Sequence, residues 1–139
     1  MERILVCLDS SPRAAKVLET AKDLAKRTGA KLRLFRAVGL PPEIPTDALL
    51  LQNVSLTQML VETAKKELDE QAKTVPAEML DGVETMVGTP WDGICREAKT
   101  RNCDIIILGS HGYGALDRLL GTTAAKVVNH ADRSVLVVR

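Results

Sequence analysis

The sequence predicts a single α/β domain over residues 1–139, with a doubly wound, five-stranded parallel sheet in the order 3-2-1-4-5 and four helices, of the Rossmann-like type. Short and continuously apolar runs are typical of strands that are buried on both faces of a parallel sheet. Segments with a helical apolar period lie between these runs, and such an alternation implies right-handed crossovers. A chain of 139 residues has the usual length of one domain.

Five segments carry the strand signal. Three of them are continuously apolar: residues 4–8, 105–108 and 135–138. The other two are less uniform. Residues 32–37 include Arg33 and Arg36, so this strand is expected to be less buried, and residues 83–87 are expected to form a weaker edge strand.

Four segments repeat apolar residues at helical spacing, which places those residues on one helix face. Ser11 and Thr89, each followed by proline, predict the starts of the first and third helices, and Gly29 predicts the end of the first. Residues 39–53 contain three prolines and predict a loop. The predicted core faces are Ala14, Val17, Leu18, Ala21 and Ala25; Leu60, Val61, Ala64 and Leu68; Trp91, Ile94, Cys95 and Ala98; and Ala124, Val127, Val128 and Ala131.

The two most apolar runs, residues 4–8 and 105–108, are expected to be neighbours at the centre of the sheet. The strand order then reverses between them, and ligands of open α/β sheets bind at the carboxyl ends of the strands there. Asp9 and Gly109 stand at those two ends. The sequence therefore predicts a ligand site around these two residues, although Asp9 could also cap the following helix.

Composition argues against two classes of partner. Nineteen basic and 18 acidic residues leave a net charge of +1, and aromatic residues make up 2%, so neither a basic face nor a stacking platform for nucleic acid is indicated. The first apolar run ends at Asp9 and is too short for a signal peptide or a membrane span.

Cys7, Cys95 and Cys103 form no CxxC pair, which favours reduced thiols in a cytoplasmic protein.

A glycine-rich segment carries the strongest chemical signal. Residues 109–114 read GSHGYG, and residues 121–123, GTT, open the last helix. Backbone N–H groups in such a loop and at a helix N-terminus bind anions, so the pair predicts a phosphate site. The P-loop, dinucleotide and nucleophile-elbow motifs are all absent from the sequence.

Together these residues resemble the universal stress protein family. The family pattern G-x2-G-x9-G-[ST] is similar to the segment that begins at Gly109, although eight residues rather than nine separate Gly112 from Gly121. The strand ending in Asp9, the strand ending in residues 37–38 and the stretch VGTP at residues 87–90 also resemble the family. The resemblance implies a five-stranded parallel sheet and, in many members, binding of ATP or another adenine nucleotide.

Carried over position by position, the resemblance implies contacts to each part of a nucleotide. Asp9 would accept the ribose hydroxyls, and the backbone of Ala37 would meet the adenine edge. Residues 109–112 would line the phosphate path, where His111 could equally be only solvated, and residues 121–123 would hold the phosphates. The implied nucleotide-binding residues are Cys7, Leu8, Asp9, Ala37, Gly109, His111, Gly112, Gly121, Thr122 and Thr123.

Three functions compete. The leading one is an adenine-nucleotide-binding stress or regulatory module, with ATP or another adenine nucleotide bound with or without magnesium. The first alternative is a dimeric stress-associated interaction protein with a degenerate pocket, which the short spacer before Gly121 favours. The second is a nucleotidyl transferase, for which only His111 is available near the phosphates. Ser110 and His111 are mere sequence neighbours, so any ATP hydrolysis is expected to be slow.

The last strand predicts a self-association surface. An apolar strand at a sheet edge is a pairing hazard unless it is used. We therefore expect a homodimer in which two copies of Ser134–Val138 pair antiparallel, as the family resemblance also implies.

Overall fold

The computed structural model of the chain describes residues 1–39, 50–110 and 120–139, with the backbone alone at residues 50–55. Strands and helices alternate along these residues, with one short 3-10 helix, Ala77–Met79, before the third strand. In chain order the elements are β1 (Arg3–Cys7), α1 (Ala14–Thr28), β2 (Lys31–Val38), α2 (Leu50–Ala72), β3 (Leu80–Val87), α3 (Pro90–Thr100), β4 (Ile105–Gly109), α4 (Thr122–His130) and β5 (Ser134–Val138).

The five strands form one parallel sheet in the order β3-β2-β1-β4-β5, which confirms the predicted fold class. At its centre Ile4 lies opposite Ile105 and Val6 lies opposite Ile107, so the two most apolar runs are neighbours as predicted. The chain leaves β1 toward β2 on one side and reaches β5 from β4 on the other. The strand order therefore reverses between β1 and β4.

Helices cover both faces of the sheet because alternate side chains of each strand point to opposite faces. On one face, Ile4, Val6 and Leu34 pack with residues of α1 and α2. On the other face, Leu5 and Phe35 pack with residues of α3 and α4. The two apolar clusters together form the core that fixes the helix ends at the edges of the sheet.

The prediction that the second strand is less buried is wrong. Leu32, Leu34 and Phe35 in β2 are fully buried, and even Arg33 is only 8% exposed. Arg33 is stabilised there by charge, since its Nε lies 2.7 Å from the Glu97 carboxylate in α3. The arginine therefore marks a buried ion pair rather than an exposed strand face.

Helix α1 begins two residues later than the serine-proline pair predicts. Ser11 and Pro12 lie in a turn, and Arg13 is the N-cap residue of a helix that starts at Ala14. The turn is stabilised locally, because the Asp9 carboxylate accepts the N–H of Ser11 at 2.8 Å. The predicted end is confirmed: Gly29 adopts a left-handed φ of 76° and donates its N–H to the carbonyl of Ala25.

The other helices differ from the predictions at single positions. Helix α2 already begins at Leu50, so the last four residues of the predicted loop are helical, and residues 40–49 lie outside the described part of the chain. Leu60 and Val128, both predicted in the core, are exposed, since each lies on the flank of its helix. Pro90 opens α3 as predicted, although the Thr89 side chain makes no capping hydrogen bond.

Arg133 joins three elements next to β5. Its Nη1 donates to the carbonyls of Ala98 and Cys103, each at 2.7 Å, and its Nε pairs with Asp132. The two carbonyls stand at the end of α3 and before β4, so the contact fixes both to the start of the last strand.

Among the residues that the structure describes, no helix combines the length and apolar character required to cross a membrane.

The buried Arg33 pair generates a stability prediction. The change Glu97→Gln removes the closest carboxylate and leaves Asp81 and Glu84 at 3.8 and 3.7 Å from the guanidinium. We expect the free energy of unfolding in urea to fall by about 2 kcal/mol, because a buried cation loses its main counter-charge.

The matched control is Glu70→Gln, the same change in an exposed helical pair with Lys73. We expect no measurable effect there, because solvent screens an exposed pair. Equal effects of the two changes would contradict the importance of the buried pair.

Candidate functional site

The carboxyl ends of β1 and β4 meet at one edge of the sheet, where the N-termini of α1 and α4 also lie. This convergence follows from the parallel pairing of the two strands and from the helices that come after them. A helix N-terminus carries unpaired N–H donors and a partial positive charge. The edge therefore presents main-chain donors from two sides of the sheet to one place.

A cavity of about 240 Å³ opens at this edge. It lies where the strand order reverses, which is the position at which open α/β sheets bind ligands. Its lining comes from three strands, the start of α3 and the start of α4. The lining residues are Cys7, Leu8, Asp9, Phe35, Ala37, Pro90, Ile94, Leu108, Gly109, Ser110, Gly121, Thr122, Thr123 and Ala124.

The structure brings together eight of the ten residues that the sequence singled out. All eight line the cavity: Cys7, Leu8, Asp9, Ala37, Gly109, Gly121, Thr122 and Thr123. The remaining two, His111 and Gly112, lie outside the described residues. Segments that are separated by more than 100 residues in the sequence thus meet in one cavity.

One side of the cavity is apolar and is built on the sheet face that α3 and α4 cover. Phe35, Ile94 and Leu108 contribute buried side chains, and Ala37 and Cys7 are packed against the same cluster. A flat aromatic or heteroaromatic ring can lie in such a slot and remove apolar surface from water. This side of the cavity can therefore take the base of a nucleotide.

The opposite side is polar and is built on main-chain groups at the start of α4. Gly121 is the N-cap residue, in an extended conformation with φ −63° and ψ 162°, and no side chain caps the helix. Its N–H donates to the carbonyl of Ser110 at 2.6 Å, so the end of β4 and the start of α4 are fixed to each other. The N–H groups of Thr122 and Thr123 follow in the first turn, where an anion is favoured.

Asp9 lines the cavity directly after the end of β1. It is exposed, and its Oδ1 accepts the N–H of Ser11, which orients the carboxylate at the end of β1. A carboxylate has two oxygens with several acceptor positions, so one such contact leaves capacity for ligand hydroxyls. Asp9 can therefore serve as a turn residue and as a ligand acceptor at the same time.

The thiol of Cys7 lies at the base of the cavity. Burial raises the pKa of Cys7 well above its ordinary value, and the neighbouring Cys103 and Cys95 raise it further. Burial also raises the pKa values of Cys95 and Cys103. The raised pKa values favour the neutral thiol over the thiolate in all three cysteines.

A second and larger groove, of about 600 Å³, runs between α1 and α2 and shares Asp9 with the cavity. Its carboxylates already have partners: Glu19 pairs with Lys22, Glu67 with Arg36 and Glu70 with Lys73. It is open and lies along two helices rather than at the strand ends. The smaller cavity is the better candidate because strand ends, main-chain donors and an apolar slot coincide there.

Sequence reasoning did not single out several residues of the cavity. Phe35 lies two residues before Ala37, so the period of two along a strand could have found it. Leu108 directly precedes Gly109 at the end of β4, and no period connects it to a named residue. Pro90 enters because the start of α3 lies at the same edge, which depends on the sheet order. Ser110 stands inside the glycine-rich segment, where its sequence position suggests only a nucleophile.

Within the described ranges, no cluster of three or more His, Cys, Asp or Glu side chains could hold a metal ion.

The fold and the cavity define an open α/β protein with a cavity at the reversal of its strand order, the position at which this class of fold binds ligands. The model of the universal stress protein family matches residues 1–139. The chain belongs to the universal stress protein family.

Relatives support this membership over the whole chain. Universal stress protein A homolog 2 of Coxiella burnetii is 34% identical over 139 residues, which cover 99% of this chain and 94% of the relative. Among solved structures, the universal stress protein UspA from Lactobacillus plantarum is 30% identical with a TM-score of 0.83, over 99% of this chain and 97% of that one.

Two further solved structures share the fold and were determined with nucleotides. A universal stress protein in complex with cAMP has a TM-score of 0.62 and 23% identity, over 99% of this chain and 96% of that one. The universal stress protein from Archaeoglobus fulgidus in complex with dAMP has a TM-score of 0.68 and 21% identity, over 100% and 98%. At these identities the likeness shows a shared fold alone.

The raised thiol pKa values generate a prediction of pH-dependent reactivity. Only the thiolate reacts with iodoacetamide, and Cys7 stays protonated through the neutral range. We expect the alkylation rate of Cys7, followed by peptide mass spectrometry, to rise about tenfold per pH unit between about pH 7 and pH 9 without a plateau. At each pH it should be slower than the rate of Cys95.

The reference is the same protein in concentrated urea, where all three thiols should titrate near their ordinary value of about 8.5. A plateau for Cys7 below pH 8 in the folded protein would mean that the cavity stabilises its thiolate, against the expected direction.

Proposed function

We propose that this protein is a stress-response or regulatory module that binds an adenine nucleotide, ATP in the first place, in the cavity between the ends of β1 and β4. One observation carries the proposal. Every residue that the sequence singled out for nucleotide binding and that the structure describes lines this one cavity. The base would lie in the apolar slot next to Phe35 and Ala37, and the phosphates would lie at the start of α4.

Two lines of support are independent of that observation. The chain belongs to a family of which two members have been solved with cAMP and dAMP, both adenine nucleotides. The polar side of the cavity also offers main-chain N–H donors at Thr122 and Thr123, in the first turn of α4, where phosphates need them. Base and phosphate thus find complementary surfaces at opposite ends of the same cavity.

We propose that Asp9 accepts hydrogen bonds from the ribose hydroxyls. Asp9 lines the same cavity as the apolar slot and the start of α4, so a sugar that joins base and phosphates there would come near its carboxylate. The competing role of Asp9 is the turn contact with Ser11, and the two roles differ in what they do to affinity. Loss of a ribose contact weakens only ligands that carry the hydroxyls, whereas loss of the turn weakens every ligand.

Hydrolysis of the nucleotide would at most be slow. Among the described lining residues, the one carboxylate is that of Asp9, which we assign to the ribose and not to the phosphates. A magnesium ion would enter with the nucleotide phosphates rather than through a protein cluster. We propose a cytoplasmic protein, because three free thiols suit a reducing compartment.

A second candidate function is a stress-associated interaction protein that binds no nucleotide. The spacer of eight residues between Gly112 and Gly121 favours it, since this is one residue shorter than the family pattern. Both candidates share a homodimer formed through β5. This strand lies at the edge of the sheet, and Leu136 in its middle is 37% exposed, so pairing with a second copy would cover it.

The ribose contact can be tested with a cycle of protein and ligand changes. Asp9→Asn keeps an oxygen that can accept the Ser11 N–H and removes the charge that would hold the hydroxyls. By titration calorimetry we expect about tenfold weaker binding of ATP, because a hydrogen bond to a charged group is lost. Binding of 2′,3′-dideoxy-ATP should be unchanged by the same substitution.

Asp23→Asn, an exposed carboxylate later in α1, is the matched control and should leave both affinities unchanged. Unchanged affinity for ATP in Asp9→Asn, which keeps the Ser11 contact, would assign Asp9 to the turn alone, and equal weakening of both ligands would contradict the ribose contact. Absence of heat with ATP, AMP and cAMP, from folded protein free of copurified ligand, would favour the interaction protein.

The dimer has its own test. Leu136→Asp places a charge on the exposed side of β5, and we expect sedimentation velocity at micromolar concentration to change from dimer to monomer. Met59→Asp is the matched control because Met59 is an exposed apolar residue on α2, away from β5. A monomeric wild type, or an equal response of the two variants, would rule out the β5 interface.

A further inference from the structure

We propose that the guanidinium of Arg13 binds the outer phosphates of the nucleotide and makes the site selective for nucleoside triphosphates over monophosphates. The inference rests on the proposed function and adds a residue that neither the glycine-rich segment nor the cavity lining includes. It assigns to this chain a phosphate contact from the β1–α1 connection, on the opposite side of the sheet edge from α4.

The charge of the cavity creates the need for a cation. Its described lining contains no lysine or arginine, and its one formal charge is the carboxylate of Asp9. A triphosphate brings several negative charges next to this carboxylate. Main-chain N–H groups and a helix N-terminus offset part of that charge, each helix end contributing about half an elementary charge. A monophosphate needs little more, whereas the β- and γ-phosphates would still lie beside an uncompensated carboxylate.

Arg13 reaches the end of β4 from the start of α1. Its Nη1 lies 3.3 Å from the Oγ of Ser110. Ser110 is fully buried, lines the cavity, and accepts the N–H of Gly121 through its carbonyl oxygen at 2.6 Å. A single residue, Ser110, therefore connects the guanidinium to the first residue of the phosphate-binding helix end.

The backbone of Arg13 is fixed independently of its side chain. Arg13 has helical φ and ψ of −76° and −16°, its N–H donates to the Oγ of Ser11, and its carbonyl accepts the N–H of Val17 at 3.1 Å. Substitution of the side chain alone leaves these main-chain contacts in place. The charge can therefore be removed without removing the start of α1.

The contact with Ser110 next to the start of α4 is the basis for assigning Arg13 to the outer phosphates. The slot near Phe35 takes the base, Asp9 takes the sugar, and the start of α4 at Gly121 takes the phosphate that follows the sugar. The guanidinium contacts the Oγ of Ser110, whose carbonyl accepts the Gly121 N–H, so it lies near the start of α4. Its planar fork of N–H groups matches the oxygens of a phosphate in a bidentate arrangement.

The experiment compares ATP, ADP and AMP by titration calorimetry with three variants of the full chain. For Arg13→Gln we expect binding of ATP to weaken about tenfold, as for the loss of one hydrogen bond between charged groups, with little change for AMP. Arg13→Lys keeps the positive charge and should recover part of the ATP affinity. The salt dependence of ATP binding should also become shallower in Arg13→Gln.

The matched control is Arg27→Gln, which removes the same charge from the other end of α1, where Arg27 is exposed and pairs with Asp23. It should leave all three affinities unchanged. Unchanged ATP affinity in Arg13→Gln would overturn the inference, and so would an equal loss for AMP and ATP, which would mean that Arg13 only supports Ser110. In both cases nucleotide binding itself would stand, whereas a wild type that binds no nucleotide would end the proposed function and the inference together.

Discussion

The parallel pairing of β1 with β4 is the constraint on which the rest of the structure depends. Ile4, Leu5 and Val6 lie opposite Ile105, Ile106 and Ile107, two apolar segments about 100 residues apart in the chain. Since both segments are buried on both faces, neither can move to an edge of the sheet without exposing apolar surface. This pairing places the β1–α1 and β4–α4 connections side by side. The cavity exists because the chain leaves these two neighbouring strands in opposite directions.

Two arginines, the buried Arg33 and the half-buried Arg133, hold the elements around that centre. Arg33 in β2 pairs with Glu97 in α3, and Arg133 before β5 donates to the carbonyls of Ala98 and Cys103. Both contacts act on α3, one near its end and one just after it. Because Pro90 and Ile94 of α3 line the cavity, these ion pairs and hydrogen bonds also fix its apolar side. Stability and site geometry thus depend on the same helix.

Much of the fold could be predicted from local sequence because its signals are local. Apolar runs identified β1 and β4, and Gly29 identified the end of α1. The errors arose where tertiary contacts decide: Arg33 is buried because Glu97 lies opposite, and Leu60 is exposed because the core contacts of α2 come from the neighbouring face of the helix. The site was predictable in its strand ends and glycines. Ser110 and Arg13 were not, since their contact joins two connections that only the sheet order makes neighbours.

A phosphate site of this kind is built mainly from main-chain donors, and such donors have a fixed and limited charge. A helix N-terminus compensates a fraction of one negative charge, so a site that relies on it alone discriminates weakly between one phosphate and three. Discrimination requires a full positive charge at a defined distance from the first phosphate. In this chain Asp9 and Arg13 stand four residues apart in one connection; the acid accepts the N–H of Ser11 and the cation contacts Ser110. A single turn between β1 and α1 would then bind the sugar and select for the length of the phosphate chain.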